Sequence, residues 1–147
     1  MSAAPPSATP GLARRLASAL YDFLLVAAVV LIATFPFLAI LGDATHGWRR
    51  HVLQGWIVLV SGAYFVGFWT HGGRTLAMKT WRIRLVVEDG RPVGTVRAVH
   101  RFAIALLGLL AAGAGFAWAL VDRERQFLHD RLSGTRLVAD EAREPRG

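Results

Sequence analysis

Three stretches of the chain carry no charged side chain: Phe23 to Gly42, Val52 to Thr70 and Phe102 to Val121. A bilayer's hydrocarbon core is about 30 Å thick, and a helix rising about 1.5 Å per residue needs about 20 apolar residues to cross it. Each of the three runs meets that length. A soluble globule of 147 residues has no room for three helices that are apolar all round. The pattern predicts an all-α integral membrane protein, with apolar segments over about 16–41, 52–70 and 102–121. The first run follows Arg14 and Arg15, as a signal peptide would, but between Leu16 and Leu41 only Asp22 interrupts it. That exceeds the roughly 7–15 apolar residues of a signal-peptide core, and no small-x-small cleavage site follows. It reads as a retained first membrane helix.

Charge placement sets the expected topology. The loop from Gly42 to His51 holds two basic residues, Arg49 and Arg50, while 71–101 holds seven: Arg74, Lys79, Arg82, Arg84, Arg91, Arg97 and Arg101. Positive charge concentrates on the cytoplasmic side, so the N-terminus and the 71–101 segment are expected there. The third window is ambiguous. A straight span would leave six arginines outside: Arg123, Arg125, Arg131, Arg136, Arg143 and Arg146. Gly108, Gly113 and Gly115 allow either a re-entrant hairpin that breaks near Gly113 or a close helix contact of the small-xxx-small kind. Two β-prone pieces favour the hairpin. Ile83 to Val87, followed by the Asp89-Gly90 turn pair, and Thr135 to Val138 can form a short cytoplasmic β-pair only if both lie on one side.

Composition agrees with this picture. Residues of the AVILMFWYC set make up 54% and charged residues 18%, which excludes a disordered chain. The absence of cysteine excludes disulfide scaffolds and thiolate metal sites. The net charge of +7 would suit a nucleic-acid binder, but these charges are spread over juxtamembrane segments. The expected partners are the lipid bilayer and anionic lipids, with no nucleic acid; Arg74, Lys79, Arg82, Arg84, Arg97 and Arg101 are expected to face headgroups. The proline-bearing 1–10 segment reads as a disordered tail, 11–138 as one membrane domain and 139–147 as a C-terminal tail.

Two groups of residues could carry chemistry. Asp22 lies within the first apolar run, seven residues after Arg15, so the two share a helix face. A carboxylate in hydrocarbon costs at least about 2.5–3.5 kcal/mol unless paired or wet, so it should turn inward. The plainer alternative has the helix beginning late, with Asp22 meeting headgroups and Arg14 or Arg15. The second group is Asp122 to Arg131, where Asp122, Arg125, Gln126 and His129 fall at helical spacing. Alternating charge of this kind most often marks a solvated surface helix; the sharper reading docks His129 and Asp130 near Arg15. Asp43, His46 and His51 lack a well-placed third ligand for a metal. Gly72-Gly73-Arg74-Thr75 lacks the Lys-Ser/Thr ending of a phosphate loop. Neither Gly-x-Ser-x-Gly nor His-Glu-x-x-His occurs. No enzyme, cofactor or metal is expected.

Three motifs carry a family resemblance: Ala13-Arg14-Arg15-Leu16-Ala17 with Tyr21-Asp22; Gly73-Arg74-Thr75-Leu76-Ala77-Met78-Lys79 with Ile83-Arg84-Leu85-Val86 and Asp89-Gly90; and Gln126-Phe127-Leu128-His129-Asp130-Arg131-Leu132-Ser133-Gly134-Thr135. Together, over about Ala13 to Val138, the chain resembles the RDD family of bacterial membrane proteins, named for one arginine and two aspartates. Ala77 and Arg82 stand where the family often has glycine. The resemblance implies that Arg15 is the arginine, Asp22 the first aspartate and Asp130 the second, with Asp122 and His129 as secondary candidates. It also implies an inner-membrane location and a transport role, some members being linked to sodium/proton exchange.

Two functions follow as expectations. One is a component of cation/proton exchange that works through Asp22 as a homo-oligomer or with a membrane partner. The other is a non-transporting adaptor clamped by Arg15, Asp22 and Asp130. Under either, these three residues should converge at the cytoplasmic end of the first helix.

Overall fold

The computed structural model describes residues 8–111 and 113–140. Its two long helices, α1 (Leu12–Leu41) and α2 (Gly47–Thr70), are each long and apolar enough to cross a membrane. Both run past the charge-free windows, α1 back to Leu12 and α2 back through Arg49, Arg50 and His51. A charge ends a hydrophobic run without ending a helix, because long basic side chains reach the interface from the terminal turns. Pro36 sits inside α1, where it removes one backbone donor, an interruption that membrane helices tolerate. Leu20, Phe23, Leu31, Ile32, Phe35 and Ile40 all stand exposed along α1, as a lipid-facing helix requires. The helices meet where the Trp56 indole donates to the Ala33 carbonyl at 3.2 Å and its ring stacks on Phe37.

After α2 the chain turns through Gly72 and Gly73 into α3 (Leu76–Thr80), β1 (Ile83–Val87) and α4 (Thr95–Leu110). Gly73 has φ +69°, and a Cβ there would stand 2.6 Å from the Leu85 carbonyl oxygen. Only glycine allows that approach, which lets the Leu85 amide donate to the Gly73 carbonyl at 2.8 Å. Beyond α4 the chain does not continue straight. The helical segments Thr95–Leu110 and Ala114–Leu120 are bent 103° apart; the second comprises α5 (Ala114–Ala117) and a 3₁₀ turn, Trp118–Leu120. Gly113 takes the left-handed conformation at the bend, φ +77°. Gly108 and Gly115 pack so closely that a Cβ on Gly108 would lie 3.2 Å from the Gly115 Cα. Gly113 thus breaks the helix, and the close contact is not a small-xxx-small pair on one straight helix but joins Gly108 to Gly115 across the bend.

The chain then returns through α6 (Leu128–Ser133) to β2 (Thr135–Ala139), which pairs antiparallel with β1. The register runs from Ile83 opposite Ala139 to Val87 opposite Thr135, with Leu85 facing Leu137. This two-stranded sheet places 83–87 and 135–139 at one end of the bundle, so the straight-span alternative for 102–121 does not hold. The start of α1 lies at the same end: Arg14 donates to the carbonyls of Trp81 (2.5 Å) and Arg82 (2.9 Å). The tail boundaries also change. Residues 1–7 and 141–147 lie outside the described residues, but Ala8 accepts a hydrogen bond from the Ala139 amide at 3.0 Å and Pro10 is buried. Asp140 is tied to the Arg82 carbonyl through its amide at 2.8 Å. The folded unit thus extends beyond 11–138 at both ends. Its compact core, around Trp69, Met78, Ile83, Leu85, Phe127 and Leu137, also lies at this sheet end.

Candidate functional site

α1 buries three residues only, Arg15, Ser18 and Asp22. Their spacing of three and four puts them on one helix face, so the inward stripe of an otherwise apolar helix is polar. Asp22 is 4% exposed. Its Oδ2 accepts a 2.6 Å hydrogen bond from the Thr75 hydroxyl, and its Oδ1 accepts one at 3.2 Å from the Tyr64 hydroxyl. Thr75 also caps α3 by accepting from the Met78 amide at 3.2 Å, which locks the hydroxyl's position. The Gly72–Gly73 turn brings it there.

Asp130 finds a different partner. Its Oδ1 receives the Arg101 guanidinium through Nε at 3.1 Å and through Nη2. Arg101 is 3% exposed and Asp130 1% exposed, so this is a buried ion pair between the start of the third window and the returning α6. The Arg101 guanidinium also lies over the Trp69 ring, 4.2 Å from its centroid, a cation–π contact. Arg101 therefore does not face headgroups as its sequence context suggested. Folding back of 102–121 delivers a carboxylate to it, and pairing offsets the cost of burying both charges.

Arg15 pairs with neither aspartate within 4 Å. It donates instead to the Arg125 carbonyl and lies over the Phe127 ring, 5.5 Å from its centroid. Its charge still feels Asp130, and Asp22 feels Arg101. The three family-type residues thus occupy one buried region, yet Asp22 is satisfied by two hydroxyls and Asp130 by Arg101. The simple Arg15–Asp22 pairing is replaced because α2 and the 72–75 turn supply neutral donors at Asp22's depth.

His129 packs between aromatic rings, stacked on Phe127 and edge-on to Phe116, with its Nε2 3.8 Å from Asp130 Oδ1. Burial pushes its imidazole down to about 4, with Arg101 adding to the shift and Asp130 opposing it. It is neutral at physiological pH. Asp122 stands apart from this region: it accepts from the Gln126 and Glu124 amides at 3.0 and 3.2 Å and pairs with Arg131. The Gln126 amide and the Arg131 charge hold its carboxyl below the usual range. It organises the 122–126 turn.

The basic residues divide. Lys79 and Arg82 are exposed. Arg74 and Arg84 share the Asp140 carboxylate, Arg84 at 3.8 Å, and Arg97 donates to the Gly134 carbonyl at 3.3 Å. These three spend part of their hydrogen-bonding capacity on holding β2 and its flanks in place. Tyr64, Thr75, Ser18 and Trp69 escaped the sequence reading as site residues. Tyr64 carried a signal as a polar hydroxyl inside a charge-free window, and Thr75 stood within the second family motif; Ser18 and Trp69 are identified only by what folds against them.

Chemically, the region offers one carboxylate held by two hydroxyls that can donate or accept, beside a second carboxylate neutralised by arginine. No curated protein and no solved structure matches the chain. The RDD family model matches residues 9–134, a span that contains the first two motifs, the third as far as Gly134, and every residue of the buried region, and the chain belongs to the RDD family.

Proposed function

We propose that this membrane protein is a component of a cation/proton exchange assembly, in which the Asp22 carboxylate takes up a proton or a small cation in turn. One observation carries the reading: Asp22 is bound by two neutral hydroxyls, Thr75 and Tyr64, and by no cationic side chain within 4 Å. Carboxylate and hydroxyl oxygens suit hard cations. The same hydroxyls can turn to accept from a protonated acid, so both states keep their hydrogen bonds. Two spanning helices and one bent segment enclose little of a pathway, so the assembly is a homo-oligomer or includes a membrane partner. The proposal places the protein in the bacterial inner membrane, with the N-terminus and the sheet end cytoplasmic, where basic residues concentrate. It assigns no enzymatic reaction.

The test is reconstitution in proteoliposomes with an internal pH dye and pulses of sodium, potassium or lithium. Wild type should move protons in response to at least one cation. Asp22→Asn should remain folded in the membrane and lose that response. A folded wild type that moves no protons would overturn the reading. The alternative, a non-transporting adaptor, is favoured by the exposed basic side chains of Lys79 and Arg82 at the sheet end, each worth about 1 kcal/mol of attraction to an anionic surface. It requires binding to anionic vesicles that survives Asp22→Asn and weakens with Lys79→Gln and Arg82→Gln.

A further inference from the structure

Buried polar atoms nearly always have a hydrogen-bond partner. Here five that do not, among the described residues, lie around one seam: Arg15 Nε, Ser18 Oγ, Trp69 Nε1, His129 Nδ1 and Asp130 Oδ2. All five residues are more than nine-tenths buried. They come from α1, α2 and α6, and the side chains of Arg15, His129, Asp130 and Trp69 are linked by contact. Arg15 lies over Phe127, which stacks on His129; His129 adjoins Asp130; Asp130 pairs with Arg101, which covers Trp69. Ser18 is one turn along from Arg15 on the same face and one turn short of Asp22.

We infer that this seam, where the 125–130 stretch meets α1, α2 and α4, is a binding site for internal water molecules. The donor and acceptor inventory selects the ligand. The Arg15 and Trp69 nitrogens can only donate, and ionised Asp130 can only accept. A cation could not satisfy the donors, and an anion could not satisfy the carboxylate. The charges of Arg15 and Arg101 already balance those of Asp22 and Asp130, so an added ion would leave net charge in a low-dielectric region. A small neutral molecule that both donates and accepts meets every requirement, and a buried water making two to four such bonds is a regular part of protein structure. Ser18, able to do both, continues the series from Asp130 towards Asp22. The water gives Asp22 a proton route to the sheet end of the bundle, and this last step alone rests on the exchange reading above.

The experiment is radiolytic hydroxyl-radical footprinting of the full chain in lipid nanodiscs, with water itself as the probe. Bound water generates radicals in place, so Trp69 and His129 should be oxidised despite their burial. Trp48, exposed at the opposite end of α2, should be labelled as the solvent reference, and Phe23, beside Asp22 but on the outer surface of α1, should remain dry. Ser18→Val, which removes the hydroxyl and fills the seam, should abolish labelling at Trp69 and His129 and leave Trp48 unchanged. Wild-type Trp69 and His129 as silent as Phe23 would overturn the inference without need of any variant. Labelling that persists undiminished in folded Ser18→Val would also overturn it, because the radicals would then arise elsewhere. A labelled seam in a protein that moves no protons would sustain the water site and remove the exchange function instead.

Discussion

The buried ion pair between Arg101 and Asp130 makes the most demanding prediction. Both side chains are almost wholly removed from solvent, at 3% and 1% exposure, and the pair joins α4, in the first arm of the bent third segment, to α6, which follows it. Replacing Arg101 by Met leaves a buried carboxylate with no cation, and replacing Asp130 by Leu leaves a buried guanidinium. Breaking such a pair costs about 3–5 kcal/mol. Here two of the three guanidinium nitrogens, Nε and Nη2, converge on Asp130 Oδ1 while Oδ2 has no partner among the described residues. The contact is therefore less than fully bidentate, which places Asp130→Leu near the lower figure, about 3 kcal/mol. Arg101→Met should cost more, because it also forfeits the contact with Trp69, worth about 0.5–2 kcal/mol. In the double variant no charge remains unpaired, and its stability should return to within about 2 kcal/mol of wild type. Denaturant unfolding in detergent micelles, followed by tryptophan fluorescence, supplies the four corners of the cycle. Single costs below about 1 kcal/mol, or a double variant whose cost equals the sum of the singles, would refute the reasoning. The first outcome would mean that bulk solvent reaches the pair, and the second that its members act independently.

Leu85 faces Leu137 across the sheet, and the Leu85 amide bonds outward to Gly73, so the two side chains form a non-hydrogen-bonded pair with close Cβ atoms. In this cysteine-free chain, Leu85→Cys with Leu137→Cys should form a disulfide on mild oxidation in membranes; absence of cross-linking would argue for a straight third span. Gly73→Ala should destabilise the fold by about 1–3 kcal/mol in the same unfolding assay, through the clash with the Leu85 carbonyl and the positive φ. His129 binds no proton in the folded state until about pH 4, whereas the unfolded chain takes one up near 6.5. Its contribution is complete above 6.5 and is lost as pH falls towards 4, by at most about 3 kcal/mol. Unfolding measured at about pH 7.5 and about pH 5 should show that loss, and His129→Phe, which keeps the ring stack, should remove that part of it. Asp22→Asn should leave stability nearly unchanged, since the amide oxygen can accept from one of the hydroxyls of Thr75 and Tyr64 and its NH2 can donate to the other, while abolishing cation-dependent proton movement.

The sequence by itself determined the membrane class, the approximate places of the apolar helices and the two β-prone pieces, because each depends on local composition. An uncharged run of about twenty residues favours hydrocarbon whatever surrounds it, and the valine-rich Ile83–Val87 segment followed by Asp89-Gly90 favours a strand and turn on local grounds. The motif residues Arg15, Asp22 and Asp130 were also legible, through the family pattern. Their partners were not. Arg101 reads in sequence like any other juxtamembrane arginine, and its burial depends on a carboxylate 29 positions later in the chain returning beside it. That return depends on the bend at Gly113 and the close contact of Gly108 with Gly115, which composition alone left open between a straight span and a hairpin. Thr75 meets Asp22 across 53 positions and Tyr64 meets it across 42. Such pairings follow from how helices pack and where a turn aims the next segment. Periodicity can place a polar side chain on a face, but only the packed tertiary structure decides what that face meets.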